Sequence, residues 1–125
     1  MRESRLTDYL DHLVEATEQA CNYLEGLSKE GFLDDKRTQQ AIILNIVIIG
    51  EVATKLLQGH SDFLERHPEV PWRSIKGMRN RIAHGYFDID LDVVWETVQT
   101  ALPALLKQLP AILADANPDL PHSRH

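Results

Sequence analysis

The chain is poor in cysteine, glycine and aromatic residues. Its 125 residues include one cysteine, six glycines and six prolines, and aromatic residues make up 6%. A lone cysteine, Cys21, cannot form an internal disulfide, so we expect a reducing compartment and a packed rather than nucleophilic thiol. Hydrophobic residues make up 43% of the chain, enough for one domain to bury a core without disulfides or metals.

Long apolar runs are also missing. The N-terminus leads directly into a charged amphipathic segment and lacks the apolar core of a signal peptide. The longest apolar stretch, residues 41–50, is interrupted by Asn45 and is too short to span a bilayer. We therefore expect a soluble, cytoplasmic protein with no membrane partner.

Several enzyme signatures are absent from the sequence. His60 and His67 have no acidic pair at a usable spacing, and His122 and His125 lie in a polar tail, so no metal site is predicted. There is no glycine-rich phosphate-binding loop and no G-x-S-x-G nucleophile elbow. We expect neither a metal nor a cofactor.

Hydrophobic periodicity predicts an all-α fold. Apolar residues recur at spacings of four and three in the first segment, which indicates a helix of about 20–24 residues ending before Gly31. Asp34 or Asp35 can cap a second helix that runs to about Gln58, and Asp90 can cap a final long helix.

Shorter helices are expected between these long ones. One begins at residue 61 or 62 and ends at Pro68. Pro71 suits the first position of another, which runs to about Ala83 and is followed by Gly85.

The end of the chain is interrupted by prolines. Pro103 is expected to kink the final helix, and Pro110 to end it or to restart it as one more turn. The prediction is an up-and-down bundle over residues 1–116, with three long helices and one or two short ones, and a loose tail at 117–125.

The second helix is apolar on nearly every side. Such a helix lies at the centre of a fold or in a subunit interface, and we expect both. Asn45 is expected to pair with its symmetry mate or with a backbone group, and so to specify the interface. A structural ion pair, with an Arg of the motif described below, is favoured for Glu51 over a catalytic role.

Positive charge is concentrated in residues 70–87, which contain no Asp or Glu. Four of the chain's 13 Lys and Arg lie there, within a chain that has 19 Asp and Glu and a net charge of −6. The four are Arg73, Lys76, Arg79 and Arg81. A basic patch on an acidic protein indicates a local anion site rather than general adhesion to nucleic acid.

Arg79 and His84 within this patch suit phosphoryl transfer. Cleaving RNA without a metal moves the ribose 2′-OH onto the adjacent phosphate, which needs a group of near-neutral pKa and a fixed cation. His84 suits the proton transfer, Arg79 suits the phosphate, and Asn80 can position either. Five helical steps place the pair about 140° apart, so a shared site requires approach at the helix end or a second subunit.

The same spacing also has a purely structural interpretation. A His followed by Gly is an ordinary helix C-terminus stabilised by the helix dipole, and spacing alone favours that explanation for His84. Taken singly, Arg73, Lys76 and Arg81 are more typical of solvated surface charges. Tyr86 is typical of a half-buried aromatic residue.

The string Arg79-x4-His84-x-Tyr86 resembles the Rx4HxY motif of HepT-like toxins, the DUF86-type members of the HEPN superfamily of all-α ribonucleases. The flanking residues at 50–51, 71–80, 85–88 and 92–95 also resemble that family. The resemblance spans roughly residues 5–110 and shifts the balance toward a functional site.

The resemblance implies a metal-independent endoribonuclease that is a homodimer. Arg79 and His84 would be the catalytic pair in a shared cleft, supported by Asn80. The remaining patch residues would contact RNA phosphates; these are Arg73, Lys76 and Arg81. Candidate substrates are tRNA and mRNA.

The resemblance also implies a partner. HepT-like toxins are paired with a MntA-like nucleotidyltransferase antitoxin that transfers AMP to the motif tyrosine, here Tyr86, in a type VII-like toxin–antitoxin pair. The alternative is a non-catalytic HEPN module that binds nucleotide or substrate for a nucleotidyltransferase. A coiled-coil adaptor is disfavoured because the heptads of the first helix are explained by a bundle core.

Overall fold

The computed structural model describes residues 2–83 and 88–116, with side chains from residue 5 onward. Apart from one isolated backbone bridge, all regular structure in these ranges is helical, which confirms the predicted all-α bundle. The elements are α1 (Arg2–Leu24), α2 (Lys29–Leu33), α3 (Lys36–Gly59), α4 (Ser61–Glu65), α5 (Trp72–Lys76), α6 (Met78–Ile82), α7 (Leu91–Glu96), a π-turn (Thr97–Ala101) and α8 (Leu102–Ala116).

Three long helical segments form the core. Helix α1 packs against both α3 and α8, and α8 continues the helix begun by α7 and the π-turn. Completely buried aliphatic side chains fill the space between them, each contributing roughly 1.5–3 kcal/mol by leaving water. They include Leu10, Leu13, Ile42, Ile46, Ile49, Leu102, Leu109 and Ile112.

Helix α3 is the central element. Asp35 caps it as predicted, accepting hydrogen bonds from the Thr38 backbone N–H at 3.1 Å and hydroxyl at 2.7 Å. The helix contacts α1, α2, α4, α5 and α6. By length and composition α3 could also cross a membrane, a property that buried core helices share.

Two polar residues of α3 test the expectations made for them. The buried Asn45 donates from Nδ2 to the Ala41 carbonyl at 2.9 Å, so a backbone group is its partner here. The expected ion pair of Glu51 is wrong within the described residues: its side chain is exposed and no described cation pairs with it. An exposed carboxylate is accessible to solvent and needs no ion pair.

The described residues form four short helices between the long segments, more than the one or two expected. Helix α2 was not predicted; Ser28 caps it by accepting from the Gly31 N–H at 3.0 Å, and the buried Phe32 holds it against Trp95. The single helix expected from Pro71 to Ala83 is two helices, α5 and α6. They are separated at Gly77, which is an unfavourable helix residue.

The final helix accommodates its two prolines differently. A π-turn precedes Pro103, with the Leu102 N–H donating to the Thr97 carbonyl five residues back. Of the two outcomes expected at Pro110, an end or a further turn, the structure excludes an end: Pro110 lies inside α8, and the helix continues to Ala116. Burial of Leu109 and Ile112 on either side of Pro110 offsets the roughly 3 kcal/mol cost of an internal proline.

Candidate functional site

Helices α5 and α6 present the basic patch to solvent. Their apolar residues alternate with the charged ones so that Trp72, Ile75, Met78 and Ile82 are buried. The indole Nε1 of Trp72 donates to the His67 carbonyl at 3.1 Å, which fixes the start of α5. The remaining side chains of the two helices are exposed, namely those of Arg73, Ser74, Lys76, Arg79, Asn80 and Arg81.

These cations keep their charge uncompensated. In the described part of the chain, no carboxylate lies within 4.0 Å of any basic side chain on α5 or α6. The ion pairs that do occur involve Lys29, Arg66 and His67. The concentrated positive charge expected from the sequence is therefore a surface available to an anion.

Gly50 of α3 allows the backbone of α5 to come close. A Cβ added at Gly50 would lie 3.4 Å from the Lys76 carbonyl oxygen and 3.8 Å from that of Ile75. The C-terminal end of α5 thus rests on the surface of α3. Gly50 belongs to the residues that resemble the HepT-like toxins, and this contact gives it a physical role.

Arg79 and Asn80 touch each other at the surface. The Arg79 Nη1 donates to the Asn80 Oδ1 at 3.4 Å, a long hydrogen bond between two exposed side chains. The structure brings these two predicted site residues together. Their roles in catalysis stay a prediction.

The end of α6 differs from the expected helix. Ala83 is extended (φ −125°, ψ 125°) and forms an isolated antiparallel bridge with Ile89. The Asp90 N–H donates to the Ile82 carbonyl at 2.7 Å. Because the helix ends at Ile82, the angle of about 140° for an unbroken helix does not apply to the Arg79 and His84 pair.

His84 and Tyr86 lie outside the described residues, as does Gly85. The described chain enters this segment at Ala83 and leaves it at Asp88. Ala83 and Ile89, which are described on either side of it, are paired next to the C-terminus of α6.

Other residues considered as sites have structural surroundings. His67 lies between two carboxylates, with Nε2 2.8 Å from Asp115 and Nδ1 3.3 Å from Glu69. His60 packs edge-on against Tyr9. Within the described residues no three His, Cys, Asp or Glu side chains are grouped to hold a metal, and His122 and His125 lie outside them.

Cys21 is half-buried, and desolvation raises the pKa of its thiol. A raised pKa lowers the thiolate fraction and thus the reactivity of the sulfur. This agrees with the predicted packed thiol.

A groove that the sequence did not predict runs beside α3. It has a volume of about 740 Å³. It lies between the outer face of α3 and the residues that follow the motif segment, which is the name used here for residues 71–87. Its apolar lining is Ile43, Leu44, Val47, Ile89 and Leu91. Leu44 is 60% exposed, a large exposure for an aliphatic side chain.

The fold and the site together define a small α-helical protein that exposes unpaired cations on two short helices. Residues 13–112 match the family model described as "Ribonuclease HepT-like". The chain is 40% identical over 98 residues to a probable ribonuclease HepT of Thermococcus cleftensis, which covers 78% of this chain and 86% of that protein. It is 35% identical over 105 residues to a candidate RNase of Caldanaerobacter subterraneus subsp. tengcongensis, covering 84% and 91%. No solved structure matches the chain.

The chain belongs to the HepT-like ribonuclease family. The resemblance drawn from the Arg79-x4-His84-x-Tyr86 string is confirmed at the level of the family. Membership supports a ribonuclease, and with it an RNA substrate.

Proposed function

We propose that the protein is a metal-independent endoribonuclease, the toxin of a type VII-like HepT/MntA toxin–antitoxin pair in the cytoplasm. The observation that carries the proposal is the exposed, unpaired cation cluster on α5 and α6 in a member of the HepT-like ribonuclease family. Arg79 and His84 are the proposed catalytic pair. Asn80 supports them through its contact with Arg79.

The proposed reaction needs only side chains. His84 takes part in proton transfer as the ribose 2′-oxygen forms a bond to the adjacent phosphorus and the bond from phosphorus to the 5′-oxygen breaks. The leaving 5′-oxygen receives a proton, and the 2′-hydroxyl loses one. Arg79 stabilises the charge that develops on the phosphorane, because its guanidinium is permanently charged and exposed.

Cleavage assays on purified protein test this proposal directly. In EDTA, wild-type protein is expected to cut tRNA or mRNA, whereas Arg79→Ala and His84→Ala lose activity by about 100-fold or more, a typical cost of removing such groups. Lys107→Gln, an exposed cation on α8, serves as the charge-matched control with normal activity. Wild-type protein that cuts no RNA would reject the enzyme in favour of the non-catalytic nucleotide-binding module.

A homodimer is the second part of the proposal. The groove along α3 exposes aliphatic side chains that a monomer would bury if it could, Leu44 above all. The groove includes Ile89, which is paired with Ala83 at the base of the motif segment. A second copy seated there would contact Ile89, whose bridge partner Ala83 directly precedes the proposed catalytic His84 in the sequence.

Leu44→Glu tests the interface. A charge at the exposed Leu44 is expected to give a folded monomer by light scattering, with RNA cleavage strongly reduced. Lys55→Glu, on the same helix and outside the groove lining, is the control and is expected to remain dimeric. A dimeric, active Leu44→Glu protein would place the interface elsewhere.

The third part is neutralisation by a MntA-like nucleotidyltransferase. We propose that the Tyr86 oxygen forms a bond to the α-phosphorus of ATP, the hydroxyl loses its proton and pyrophosphate leaves. Bound AMP would then occupy the cation cluster with its own negative charge.

Intact mass tests the modification. After co-expression with the partner, the mass of the protein should rise by that of one or more AMP groups. The Tyr86→Phe variant should show no increase and stay active. Modification of Tyr86→Phe at the normal level would exclude this tyrosine as the site.

A further inference from the structure

We infer that Arg81 is a positioning residue of the ribonuclease site and not one of its RNA ligands. The inference rests on the proposed function, and it separates Arg81 from the neighbouring cations of the same patch. Sequence alone groups Arg81 with Arg73 and Lys76 as phosphate contacts. The structure gives it a different partner.

The Arg81 side chain connects α6 to α5. Its Nη1 donates to the Ser74 carbonyl oxygen at 3.0 Å. The last carbonyls of a helix have no partner within the helix, and a cation near them interacts favourably with the helix dipole. Arg81 therefore caps α5 from the following helix.

The capping bond passes over the break between the two helices. The Arg81 Nη1 lies 3.7 Å from the position that a Cβ on Gly77 would occupy. The Gly77 N–H itself donates to the Arg73 carbonyl at 3.1 Å. Backbone and side chain thus fix the Gly77 turn together, and the guanidinium crosses directly above it.

Fixing this turn sets the direction of Arg79. Helix α5 is held by the buried Trp72 and by the close approach to Gly50, whereas α6 has only five residues and cannot be stable alone. Arg79 and Arg81 are two residues apart, about 200° around the helix. When Arg81 is bound to α5, Arg79 is turned away from α5 and presented to solvent, where Asn80 contacts it.

Arg73 and Lys76 lack such a bond. Both side chains are exposed, and neither donates a hydrogen bond to a described residue. They remain the patch residues suited to RNA phosphates. A comparison of Arg81 with Arg73 therefore distinguishes a residue that positions Arg79 from one that binds RNA phosphates within the same patch.

Steady-state kinetics of Arg81→Ala and Arg73→Ala test the distinction. Loss of a positioning group is expected to lower kcat by about tenfold or more, with KM changed by less than about twofold and an unchanged dependence of KM on salt. Loss of a phosphate contact should raise KM, leave kcat unchanged and reduce the salt slope by about one. Lys107→Ala is the control for net charge. A raised KM and reduced salt slope in Arg81→Ala would make Arg81 an RNA ligand and overturn the inference.

Arg81→Lys provides a rescue. A lysine ammonium keeps the charge and can donate one hydrogen bond to the Ser74 carbonyl, so part of the lost kcat should return. The variant also keeps the test usable if Arg81→Ala fails to fold. Full loss of kcat in a folded Arg81→Lys protein, equal to that of Arg81→Ala, would argue against the capping bond.

Hydrogen exchange gives a readout that does not depend on cleavage. The amides of Asn80 and Arg81 donate to the Gly77 carbonyl, and the Ala83 amide donates to that of Arg79. These three amide protons should exchange faster in Arg81→Ala and at the wild-type rate in Arg73→Ala. Unchanged exchange in Arg81→Ala would refute the positioning role even for an active nuclease. If wild-type protein cut no RNA, the proposed function would fail while the exchange result still reported on the capping bond.

Discussion

The bundle core and the motif segment are held in place by different kinds of contact. In the core, α1, α3 and α8 are 23, 24 and 15 residues long and meet through completely buried aliphatic side chains. In the motif segment, α5 and α6 have five residues each and are held by four buried side chains, an arginine cap and a backbone bridge. Stability in the core is spread over many contacts, whereas the position of the motif residues depends on a few. Substitutions should therefore separate the two: core changes alter stability, and motif changes alter the site.

The largest expected effect on stability comes from the core side of the comparison. Ile46→Ala, at a completely buried position of α3, should lower the free energy of unfolding by about 2–5 kcal/mol, through lost burial and a new cavity. Urea denaturation measures it. Lys55→Ala, at an exposed position of the same helix outside the groove lining, is the control and should change the free energy of unfolding by less than about 0.5 kcal/mol. Equal losses in the two variants would mean that the outer face of α3 is buried as deeply as its inner face.

Gly50 is where the two regions meet. Gly50→Leu should push α5 away from α3, because atoms beyond Cβ would overlap the Lys76 carbonyl; overpacking of this kind costs about 1–3 kcal/mol. The variant should also lose RNA cleavage beyond its loss of stability. Gly59→Leu is the control, since nothing lies within 4 Å of an added Cβ there.

A smaller change tests the same contact from the other side. Gly50→Ala places its Cβ 3.4 Å from the Lys76 oxygen, within van der Waals contact, and should be tolerated. If Gly50→Leu were as stable and active as Gly50→Ala, the close approach would have no role in positioning α5.

Asp90 joins the motif segment to α7. Its carboxylate caps α7 by accepting from the Val93 N–H at 3.1 Å, and its own N–H donates to the Ile82 carbonyl. Asp90→Ala should cost about 1 kcal/mol in thermal unfolding, the usual cost of losing an N-cap. Asp92→Ala removes only the exposed ion pair with Lys29 and should cost less than about 0.5 kcal/mol. A larger loss from Asp92→Ala would contradict the capping role.

The smallest expected effect concerns the end of α8. Hydrogen bonds from His67 and then Arg66 lower the pKa of Asp115 below its ordinary value of 3.8. A carboxyl with a lowered folded pKa stabilises the protein above its unfolded pKa, and this contribution is lost as pH falls through the folded pKa. The difference in stability between wild type and Asp115→Asn should thus be about 0.5 kcal/mol at neutral pH, because Asp115 is exposed.

The pH dependence of that difference is the test. Urea unfolding of both proteins at neutral pH and at several values below pH 5 should show the difference shrinking on acidification. Glu51→Gln, which removes an exposed carboxylate without a described ion pair, is the control for the change in net charge. A difference that grew as the pH fell would have the wrong sign for the Asp115 ion pairs.

The long helices could be predicted because each carries its own repeated signal. Apolar spacing fixed the core faces, and Asp35 and Asp90 cap α3 and α7 as the sequence indicated. The five-residue helices carry few periodic positions, so the sequence indicated α4, merged α5 and α6 into one helix and missed α2. Such short helices are not stable alone, and burial of Phe32, Trp72 and their neighbours against the bundle holds them. The ion pair predicted for Glu51 was wrong because neighbours in sequence are not neighbours on a helix surface.

The candidate site was predictable in its residues but not in its arrangement. The basic segment and the string of Arg79, His84 and Tyr86 can be read directly from the sequence. The roles of Gly50 and Arg81 are not, since both depend on a contact with a different helix. The break at Gly77 could be suspected from the glycine alone, but its closure by Arg81 requires the structure.

The π-turn before Pro103 contains one residue more than an α-helix would need to cover the same distance. Removing one residue there, such as the exposed Gln99, would let α7 and α8 join as an uninterrupted α-helix with their apolar faces still in phase. The proline would then meet the carbonyl four residues before it, a clash that breaks or kinks helices. Deleting the extra residue alone is therefore costly, whereas deleting it and replacing Pro103 would leave a straight helix.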